Sequence, residues 1–443
     1  MKAFRINRRS FLSKSTAALA WAGAAGFMPG GSVQANDKPK IKECRTLGRT
    51  GFRVSDIGCG PAAMSDENLL RAILETGVNI IDTAEFYGNG NNEILVGKGI
   101  KGIKRESLFI NTKLQIAPSD KSDDIVARVR KCLERMNTDY LDGMMLWNPS
   151  SQEQVKNREF HKAFAQLKNE GRVKYCGISC HGTEFPNPGE TRENMEQVVG
   201  GAIEDGRFDH VLFVYNYVQQ EMGNNILKAC AEKNIGATLM KADPFNGTLI
   251  TMSEQRIKAM KEKNTPIPEN LKRSYELIIE RQKKGEEYLA KVGLPDPASR
   301  RKAAIGFVLD NPAVSSVFIS FMSFDEIGPY ISLSGMKLSD VISENIEMLK
   351  RNYGHLYCRH ACGICESNCP YSIPVNTIMR YHHYYLGQRR EKYAMQKYSE
   401  LPGPKLEKCS ACSGSCESAC PYGVSIKALL MSACLDLTLT HHT

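Results

Sequence analysis

From residue 41 to about residue 340, short apolar and β-branched runs alternate with amphipathic helical stretches. This alternation predicts parallel strands joined by crossover helices. The predicted strands span 54–59, 79–83, 108–113, 143–147, 175–179, 210–215, 236–240 and 316–320. Eight strand–helix units in roughly 300 residues indicate an α/β fold of the TIM (β/α)8 barrel type. An open doubly wound sheet is the alternative that alternation alone leaves open.

One interruption of the pattern lies at 246–300, between the seventh and eighth predicted strands. It is long, helical and rich in Lys and Glu, so we expect an insertion whose helices turn a charged face to solvent. The barrel domain is therefore predicted to span 41–340 with this insertion included.

The segment 1–35 is predicted to be an export signal. Arg8 and Arg9 precede Phe11 and an apolar run that is rich in Ala and Gly, and small residues come just before Asn36. This order is typical of a cleavable signal, and the paired arginines resemble the twin-arginine class. The apolar run of about 14 residues is shorter than the roughly 20 that span a membrane. We therefore expect an exported, periplasmic protein whose mature chain has no transmembrane segment.

The charge of the chain argues against nucleic acid as a partner. There are 58 basic and 49 acidic residues, and five of the basic residues lie in 1–35, which contains no acid. The rest of the chain is close to neutral, whereas binding to phosphate backbones usually needs a concentrated basic surface. The expected partners are a small-molecule substrate and a redox protein.

Eight cysteines near the carboxyl end form two motifs, each with a proline after its last cysteine. The motifs consist of Cys358, Cys362, Cys365 and Cys369, and then Cys409, Cys412, Cys416 and Cys420. Together they resemble two-cluster ferredoxins, in which thiolates hold two [4Fe–4S] clusters. The resemblance implies that Cys420 completes the first cluster and Cys369 the second. It places a small, mainly α-helical ferredoxin-like domain at 350–430.

Zinc sites and disulfides are the alternatives for these cysteines. Zinc suits Cys-x2-Cys pairs, but its usual pattern is two separated doublets and not two sets that each end in Cys-Pro. Disulfides form in exported proteins, yet a chain exported after folding can receive its clusters beforehand. Between the motifs lies a basic, tyrosine-rich stretch, expected to be a docking face for an acidic electron carrier or a solvated helix. His382 and His383 are expected at its surface.

Four ordered motifs resemble the aldo-keto reductase family: Arg45–Gly51, Gly77–Gly88, Asn111–Lys113 and Gly177–Ser179. Carried over residue by residue, the resemblance implies that Tyr87 is a general acid and that Lys113 and Asp82 support it. The predicted strands independently bring these three residues to the carboxyl end of the barrel, where such folds keep their sites. A buried ion pair with a nearby loop tyrosine is the structural alternative.

Three positions depart from that family's pattern. The family has a histidine at the end of the fourth strand, where this chain has Trp147, expected either to wall the substrate pocket or to pack in the core. Ser179 matches the first residue of a Ser-Asn pair that contacts nicotinamide, but Cys180 replaces the asparagine. The stretch 319–326, which usually offers basic residues to the adenosine phosphate, has two acids and no Lys or Arg. These departures argue against NAD(P)H as the cofactor.

Other side chains are predicted near the barrel mouth. His181 and Asn148 are candidate polar donors, although a lone histidine is more often structural. Cys180 is the cysteine outside the two motifs that is a candidate reactive thiol.

Taken together, the sequence predicts an exported iron–sulfur oxidoreductase of aldo-keto reductase type. It would act on a carbonyl-like small molecule, with electrons passing through two [4Fe–4S] clusters. Two alternatives remain: an electron-transfer protein whose barrel has lost catalysis, and an NAD(P)H-dependent reductase that holds its cofactor by other contacts.

Overall fold

The computed structural model describes residues 39–182, 193–244, 269–338, 340–388, 390–402, 408–409 and 412–438. The predicted export signal and the first half of the predicted insertion lie outside the described residues. The strands are β1 (Cys44–Thr46), β2 (Arg53–Ser55), β3 (Ile57–Cys59), β4 (Ile80–Asp82), β5 (Phe109–Leu114), β6 (Leu141–Trp147), β7 (Val173–Cys180), β8 (His210–Val214), β9 (Gly236–Met240) and β10 (Ser316–Ile319).

Helices alternate with these strands and then continue to the carboxyl end. Those up to the last barrel strand are α1 (Glu67–Leu74), α2 (Asn91–Gly99), α3 (Ser122–Met136), α4 (Gln152–Val155), α5 (Arg158–Asn169), α6 (Met195–Asp205), α7 (Glu221–Glu232), α8 (Glu269–Lys291) and α9 (Pro297–Asp310). Those that follow it are α10 (Ile327–Ile331), α11 (Asp340–Tyr353), α12 (Val375–Gly387), α13 (Glu391–Ser399), α14 (Ser415–Ser418) and α15 (Ile426–Leu437).

In the described part of the chain, β3 to β10 form a closed parallel barrel of eight strands. Each strand pairs with the next, and β10 returns to β3 with Val317 opposite Ile57. Every residue of β5 and β6 is buried, because barrel strands face helices on one side and a packed interior on the other. The predicted (β/α)8 barrel is confirmed, and the doubly wound sheet is excluded.

The first predicted strand, 54–59, is two strands in the structure. Asp56 lies between them and is fully buried. Its carboxylate accepts hydrogen bonds from the hydroxyl of Ser334 at 2.7 Å and from the backbone N–H of Gly335 at 2.6 Å. The chain changes partner at this point: β2 pairs with β1 in an antiparallel hairpin, whereas β3 enters the barrel.

The helices that follow the barrel share a second hydrophobic core with α8. Tyr381 of α12 is fully buried in it, and Leu289 of α8 packs into it as well. The second half of the predicted insertion therefore contributes apolar side chains to the carboxyl-terminal helices while its charged residues, such as Lys284, face solvent.

The loop between α11 and α12 is fixed to the barrel by hydrogen bonds. The side-chain amide of Gln219, which follows β8, donates to the carbonyl of His360 at 2.9 Å and accepts from its backbone N–H at 2.8 Å. The backbone N–H of Met195, at the start of α6, donates to the carbonyl of Ala361 at 2.8 Å. Barrel and carboxyl-terminal helices thus belong to one compact unit, which begins at Pro39.

Within the ranges described, no helix combines the length and the apolar character needed to cross a bilayer.

Candidate active site

Three of the predicted catalytic residues meet at the carboxyl ends of β4 and β5. Asp82 is the last residue of β4, Lys113 is the second-last residue of β5, and Tyr87 lies in the turn that follows β4. The Nζ atom of Lys113 is 2.6 Å from Oδ2 of Asp82 and 3.5 Å from the hydroxyl of Tyr87. Because Asp82 is opposite Asn111 in the strand register, the two charged side chains project from neighbouring strands toward the same point.

Lys113 is sealed from water. It is 2% exposed, and its ammonium also donates to the carbonyl of Thr83 at 2.7 Å. Burial disfavours the charged form, yet the carboxylate of Asp82 and the oxygen of Tyr87 together hold the pKa of Lys113 above its usual value. An ammonium held so close stabilises negative charge on the Tyr87 oxygen, which suits a tyrosine that gives up its proton.

Trp147 lies beside this group at the end of β6. Its indole is 6% exposed and packs against Phe86, with ring centres 4.4 Å apart. Phe86 in turn contacts Tyr87, with ring centres at 5.1 Å. The structure thus brings Trp147 next to the predicted acid, in a position that walls the mouth with a flat apolar face.

The two candidate polar donors are also buried at this mouth. Asn148 and His181 are both 7% exposed and hydrogen-bond to each other. His181 also contacts Trp147, with ring centres 6.0 Å apart. The loops after β4, β6 and β7 therefore meet around one indole.

Ser179 and Cys180 close β7, and their environments differ. Ser179 is fully buried, and its hydroxyl has no hydrogen-bond partner among the described residues. A buried hydroxyl without a partner is a candidate contact for a bound ligand. Cys180 is also buried, and burial raises the pKa of its thiol to about 11. Because the thiolate is the reactive form, this raised pKa argues against a reactive Cys180.

A cavity of about 210 Å³ lies at the carboxyl ends of β9 and β10. It is lined by the acids Asp243 and Glu326 and by the cations Lys241 and Arg301. The buried Nε atom of Arg301 has no hydrogen-bond partner in the part of the chain that the structure describes. The sequence prediction considered only 319–326 and missed both cations, because they come from the end of β9 and from α9.

Helix α12 covers this cavity, and its environment overturns one expectation. His382 is 4% exposed, and its Nε2 lies 2.6 Å from Oδ2 of Asp436. His383 lines the cavity, where burial and the charge of Lys241 lower its pKa to about 3. The prediction that His382 lies at the surface is wrong, whereas His383 is partly exposed. Arg380 of α12 is also buried, while Lys392 of the same basic stretch is exposed.

The eight predicted ligand cysteines gather in two sets in the structure. Cys420 lies near the first three cysteines of the first motif and contributes to the raised pKa of Cys358, Cys362 and Cys365, and Cys416 also contributes to that of Cys365. Cys369 acts in the same way on Cys409 and Cys416 of the second motif. Burial, with these neighbours, raises the pKa of the Cys409 thiol to about 12. Cys362 additionally packs against the apolar core of the barrel.

Two further facts bear on these cysteines. None of the chain's cysteines forms a disulfide, and all of them lie in the described residues. Among the same residues, no three His, Cys, Asp or Glu side chains form a group that could hold a single metal ion.

The loops that carry the cysteines are an internal repeat that the sequence prediction did not use. The stretch 365–376 recurs at 416–427, and both copies begin with Cys-Glu-Ser and continue to Cys-Pro-Tyr. In each copy the glutamate carboxylate accepts a hydrogen bond from the backbone N–H ten residues further on, at 2.8 Å in the first and 2.9 Å in the second. The shared hydrogen bond gives both loops the same entry into a following helix.

Comparison with known proteins identifies the family to which the barrel belongs. Residues 60–350 match the model of the Aldo/keto reductase family. Among curated proteins, the chain is 32% identical over 149 residues to the uncharacterized oxidoreductase YqkF of Bacillus subtilis, which covers 30% of this chain and 48% of that protein. It is 33% identical over 127 residues to the methylglyoxal reductase DkgB of Escherichia coli O157:H7, covering 28% and 46%. The chain thus spans about half the length of the curated relatives it matches.

The solved structures agree on the fold. The aldo-keto reductase AKR11C1 from Bacillus halodurans, in its holo form, superposes with a TM-score of 0.50 at 20% sequence identity. The superposition covers 69% of this chain and 96% of that one. At this identity the likeness shows the barrel fold alone.

Proposed function

The chain belongs to the aldo/keto reductase family, and we propose that it is an oxidoreductase that reduces the carbonyl group of a small molecule, with Tyr87 as the proton donor. The observation that carries the proposal is the contact of Lys113 with both Asp82 and Tyr87 under the barrel mouth. A buried ion pair alone would not need a tyrosine hydroxyl within 3.5 Å of the ammonium.

The proposed reaction adds two electrons and two protons to the carbonyl. The reductant delivers a hydride equivalent to the carbon, the C=O π bond breaks, and the oxygen takes the proton of Tyr87. Lys113 stabilises the phenolate that remains, and Asp82 keeps the buried ammonium charged. Solvent then returns a proton to Tyr87. Trp147 walls the pocket and limits the entry of water.

NAD(P)H is the first candidate for the reductant, because aldo/keto reductases normally use it, and when bound it supplies the hydride. Arg301 and Lys241 would hold its phosphate, since both line the cavity beyond β9 and β10 and the Nε of Arg301 is buried without a partner among the described residues. Ser179 would contact the nicotinamide. The cavity of about 210 Å³ is smaller than the roughly 300–1,000 Å³ of ordinary ligand pockets, so it fits one end of the dinucleotide only.

A second candidate is a one-electron donor that acts through two [4Fe–4S] clusters, which would store and pass single electrons. Because reduced viologen also reduces nitro groups, viologen assays of this candidate measure the alcohol product and subtract the rate without enzyme. Cys358, Cys362, Cys365 and Cys420 would hold one cluster, and Cys369, Cys409, Cys412 and Cys416 the other. The two sets of thiols favour this proposal. Each thiolate of such a cluster binds a different iron, so the ligands do not converge on one point.

One experiment tests the proposal and separates the two reductants. The full chain is purified without oxygen, and reduction of 4-nitrobenzaldehyde is followed with NADPH or with dithionite-reduced methyl viologen. Tyr87→Phe should abolish turnover with either donor, whereas Tyr140→Phe, which removes the same atom just before the amino-terminal end of β6, should not. Turnover with NADPH supports the first candidate, and turnover with viologen alone supports the second. Equal rates in wild type and Tyr87→Phe would contradict the proposed function.

We also propose export by the twin-arginine route, on the strength of Arg8 and Arg9 and the apolar run that follows. Replacing both arginines with lysine should retain the protein in the cytoplasm of a bacterial host, measured by cell fractionation. Periplasmic recovery of that variant would contradict the proposal.

A further inference from the structure

We propose that His181 is a catalytic residue of the proposed carbonyl reduction, in which its imidazole donates a hydrogen bond to the carbonyl oxygen of the substrate while Tyr87 supplies the proton. The inference rests on the proposed function and adds a second polar group to its site. Neither the family match nor the predicted catalytic set assigns this role to His181.

The imidazole of His181 lies at the barrel mouth. His181 directly follows β7, at the same carboxyl end of the barrel where Asp82, Tyr87 and Lys113 meet. Its ring contacts Trp147 at 6.0 Å, and Trp147 contacts the residue that precedes Tyr87. The charge of Lys113 acts on His181 as well as on Tyr87. The imidazole therefore belongs to the same mouth as the proposed acid.

Asn148 holds the imidazole in place. The backbone N–H of His181 donates to Oδ1 of Asn148 at 2.9 Å, so the amide nitrogen must face the imidazole. That nitrogen lies 3.1 Å from Nε2 and 3.3 Å from Nδ1 of the ring. Because the two distances are nearly equal, the amide lies over the ring and does not select a tautomer. A neutral imidazole carries one N–H in either tautomer, and this N–H is the donor for a ligand.

The electrostatic surroundings support a neutral ring. Burial lowers the pKa of His181 well below its usual value, and the positive charges of Lys241, Arg380 and Lys113 lower it further. A neutral imidazole holds its N–H firmly and polarises a carbonyl by hydrogen bonding without transferring the proton. Tyr87 is thus left as the group that gives its proton to the substrate oxygen.

The backbone around the imidazole is held by Arg380. A guanidinium nitrogen of Arg380 donates to the carbonyl of His181 at 3.1 Å and also to the carbonyl of Gly182. Gly182 has a φ of +95°, and a Cβ there would lie 2.8 Å from that guanidinium nitrogen and 3.3 Å from the Cα of Ala361. Asn148 and Arg380 are therefore positioning residues, the first from the barrel and the second from α12.

The proposed role of His181 leaves the count of protons and electrons in the reaction unchanged. The hydride equivalent comes from the reductant, a nicotinamide or a reduced one-electron donor used twice with a proton, and the added proton on oxygen comes from Tyr87. Negative charge develops on the carbonyl oxygen as the π bond breaks, and a fixed N–H donor aimed at that oxygen stabilises it. His181 ends the cycle with the same proton with which it began.

The test compares His181→Ala and His181→Gln with His161→Gln in the full chain. His161 is the matched control because it is also buried, and its Nε2 lies 2.9 Å from the carbonyl of Val155, away from the barrel mouth. With 4-nitrobenzaldehyde, His181→Ala should lower kcat by about 10²- to 10³-fold, the effect of losing one such donor, with little change in KM. The amide of His181→Gln should restore part of the rate, and His161→Gln should match wild type.

A second readout needs no turnover. The infrared carbonyl stretch of bound 4-nitrobenzaldehyde, recorded without reductant, should lie at higher frequency in His181→Ala than in wild type, because one hydrogen bond to the oxygen is lost. An unchanged kcat and an unchanged stretch in His181→Ala, with Tyr87→Phe inactive, would overturn the role of His181 and leave the proposed function standing. Full activity of Tyr87→Phe would instead overturn the proposed function. Absence of a bound carbonyl band in wild type would contradict both.

Discussion

A guanidinium nitrogen of Arg380 donates a hydrogen bond to the backbone carbonyl of His181 at 3.1 Å, although the two residues are 199 positions apart in the chain. The contact joins α12 to the end of β7. It means that the shape of the barrel mouth depends on the carboxyl-terminal helices, which cover the site where barrel enzymes carry out their chemistry.

Arg380→Met should therefore loosen the mouth as well as destabilise the fold. Arg380 is 1% exposed, and its loss leaves buried carbonyls unpaired, which costs about 1–3 kcal/mol for each group. We expect a lower thermal midpoint and faster hydrogen exchange of the amides at 180–182. Arg130→Met is the control, because Arg130 is half exposed in a surface ion pair with Glu170 and should change stability by no more than about 0.5 kcal/mol. Equal exchange rates at 180–182 would contradict the coupling.

Substituting both Asp82 and Lys113 should cost less stability than the sum of the two single substitutions. Lys113→Met leaves a buried carboxylate without its partner, and Asp82→Asn leaves a buried ammonium, so each should destabilise the protein by about 3–5 kcal/mol. The double variant Asp82→Asn/Lys113→Met removes both charges and should recover most of that loss while staying inactive. Urea unfolding and turnover are the measurements. Additive losses of stability would show that the two groups do not form a coupled pair.

His210 predicts a pH dependence of stability. Burial lowers its pKa to about 4, whereas in the unfolded chain histidine titrates near ~6.5. Between those two values the unfolded chain binds a proton that the folded protein does not, so the free energy of unfolding falls as the pH falls. By pH 4 the free energy of unfolding should have fallen by about 3 kcal/mol. His210→Gln should make this slope shallower in urea titrations from pH 7 to pH 4, while other buried histidines such as His181 keep the remainder. Parallel curves for the two proteins would refute the assignment.

Arg301 predicts where a phosphate-bearing cofactor binds. Arg301→Leu removes a buried donor from the cavity at β9 and β10, and a hydrogen bond to a charged group is worth about 1.5–3 kcal/mol. The Kd for NADPH, measured by fluorescence titration, should rise roughly tenfold to a hundredfold. Lys302→Leu, an exposed neighbour on α9, should leave it unchanged. An equal rise in the Kd for NADPH in both variants would indicate an effect of overall positive charge and not a specific phosphate site.

The two cysteine sets predict paired losses of iron. If each set holds one cluster, Cys358→Ser and Cys420→Ser should reduce the iron content to about half and alter the same spectroscopic signal, although the two residues belong to different motifs. Cys369→Ser and Cys409→Ser should alter the other signal. Cys434→Ser, outside both sets, is the control and should keep all the iron. Wild-type protein prepared without oxygen that contains no iron would end the cluster proposal.

Most of the barrel is predictable because its signals are local. Strands such as 236–240 are continuous apolar runs between helical stretches, and their predicted and observed limits are the same. The prediction failed at Asp56, where an apolar run conceals a change of partner from β2 to β3. Only the contact with Ser334 and Gly335, far away in the chain, shows why that run divides.

Sequence patterns could not predict the surroundings of several side chains near the barrel mouth. His382 was predicted at the surface from its neighbours in the chain, but it is buried against Asp436. Lys241 and Arg301 were missed as phosphate candidates because they reach the cavity from two separate elements. The approach of Lys113 to Tyr87 was predictable, because Lys113 lies near the end of β5 and Tyr87 follows β4, two strands that the alternation already made neighbours.

The order of residues by itself determined the eight strand–helix units, the convergence of Asp82, Tyr87 and Lys113, and the two cysteine motifs, since each depends on periodicity or spacing within a short stretch. The tertiary structure decided what covers the barrel mouth. Helix α12 lines the cavity at the ends of β9 and β10, Arg380 holds the end of β7, and Asn148 contacts the imidazole of His181. These are contacts between distant segments, and they form because burying polar groups is favourable only where folding supplies a partner for each of them.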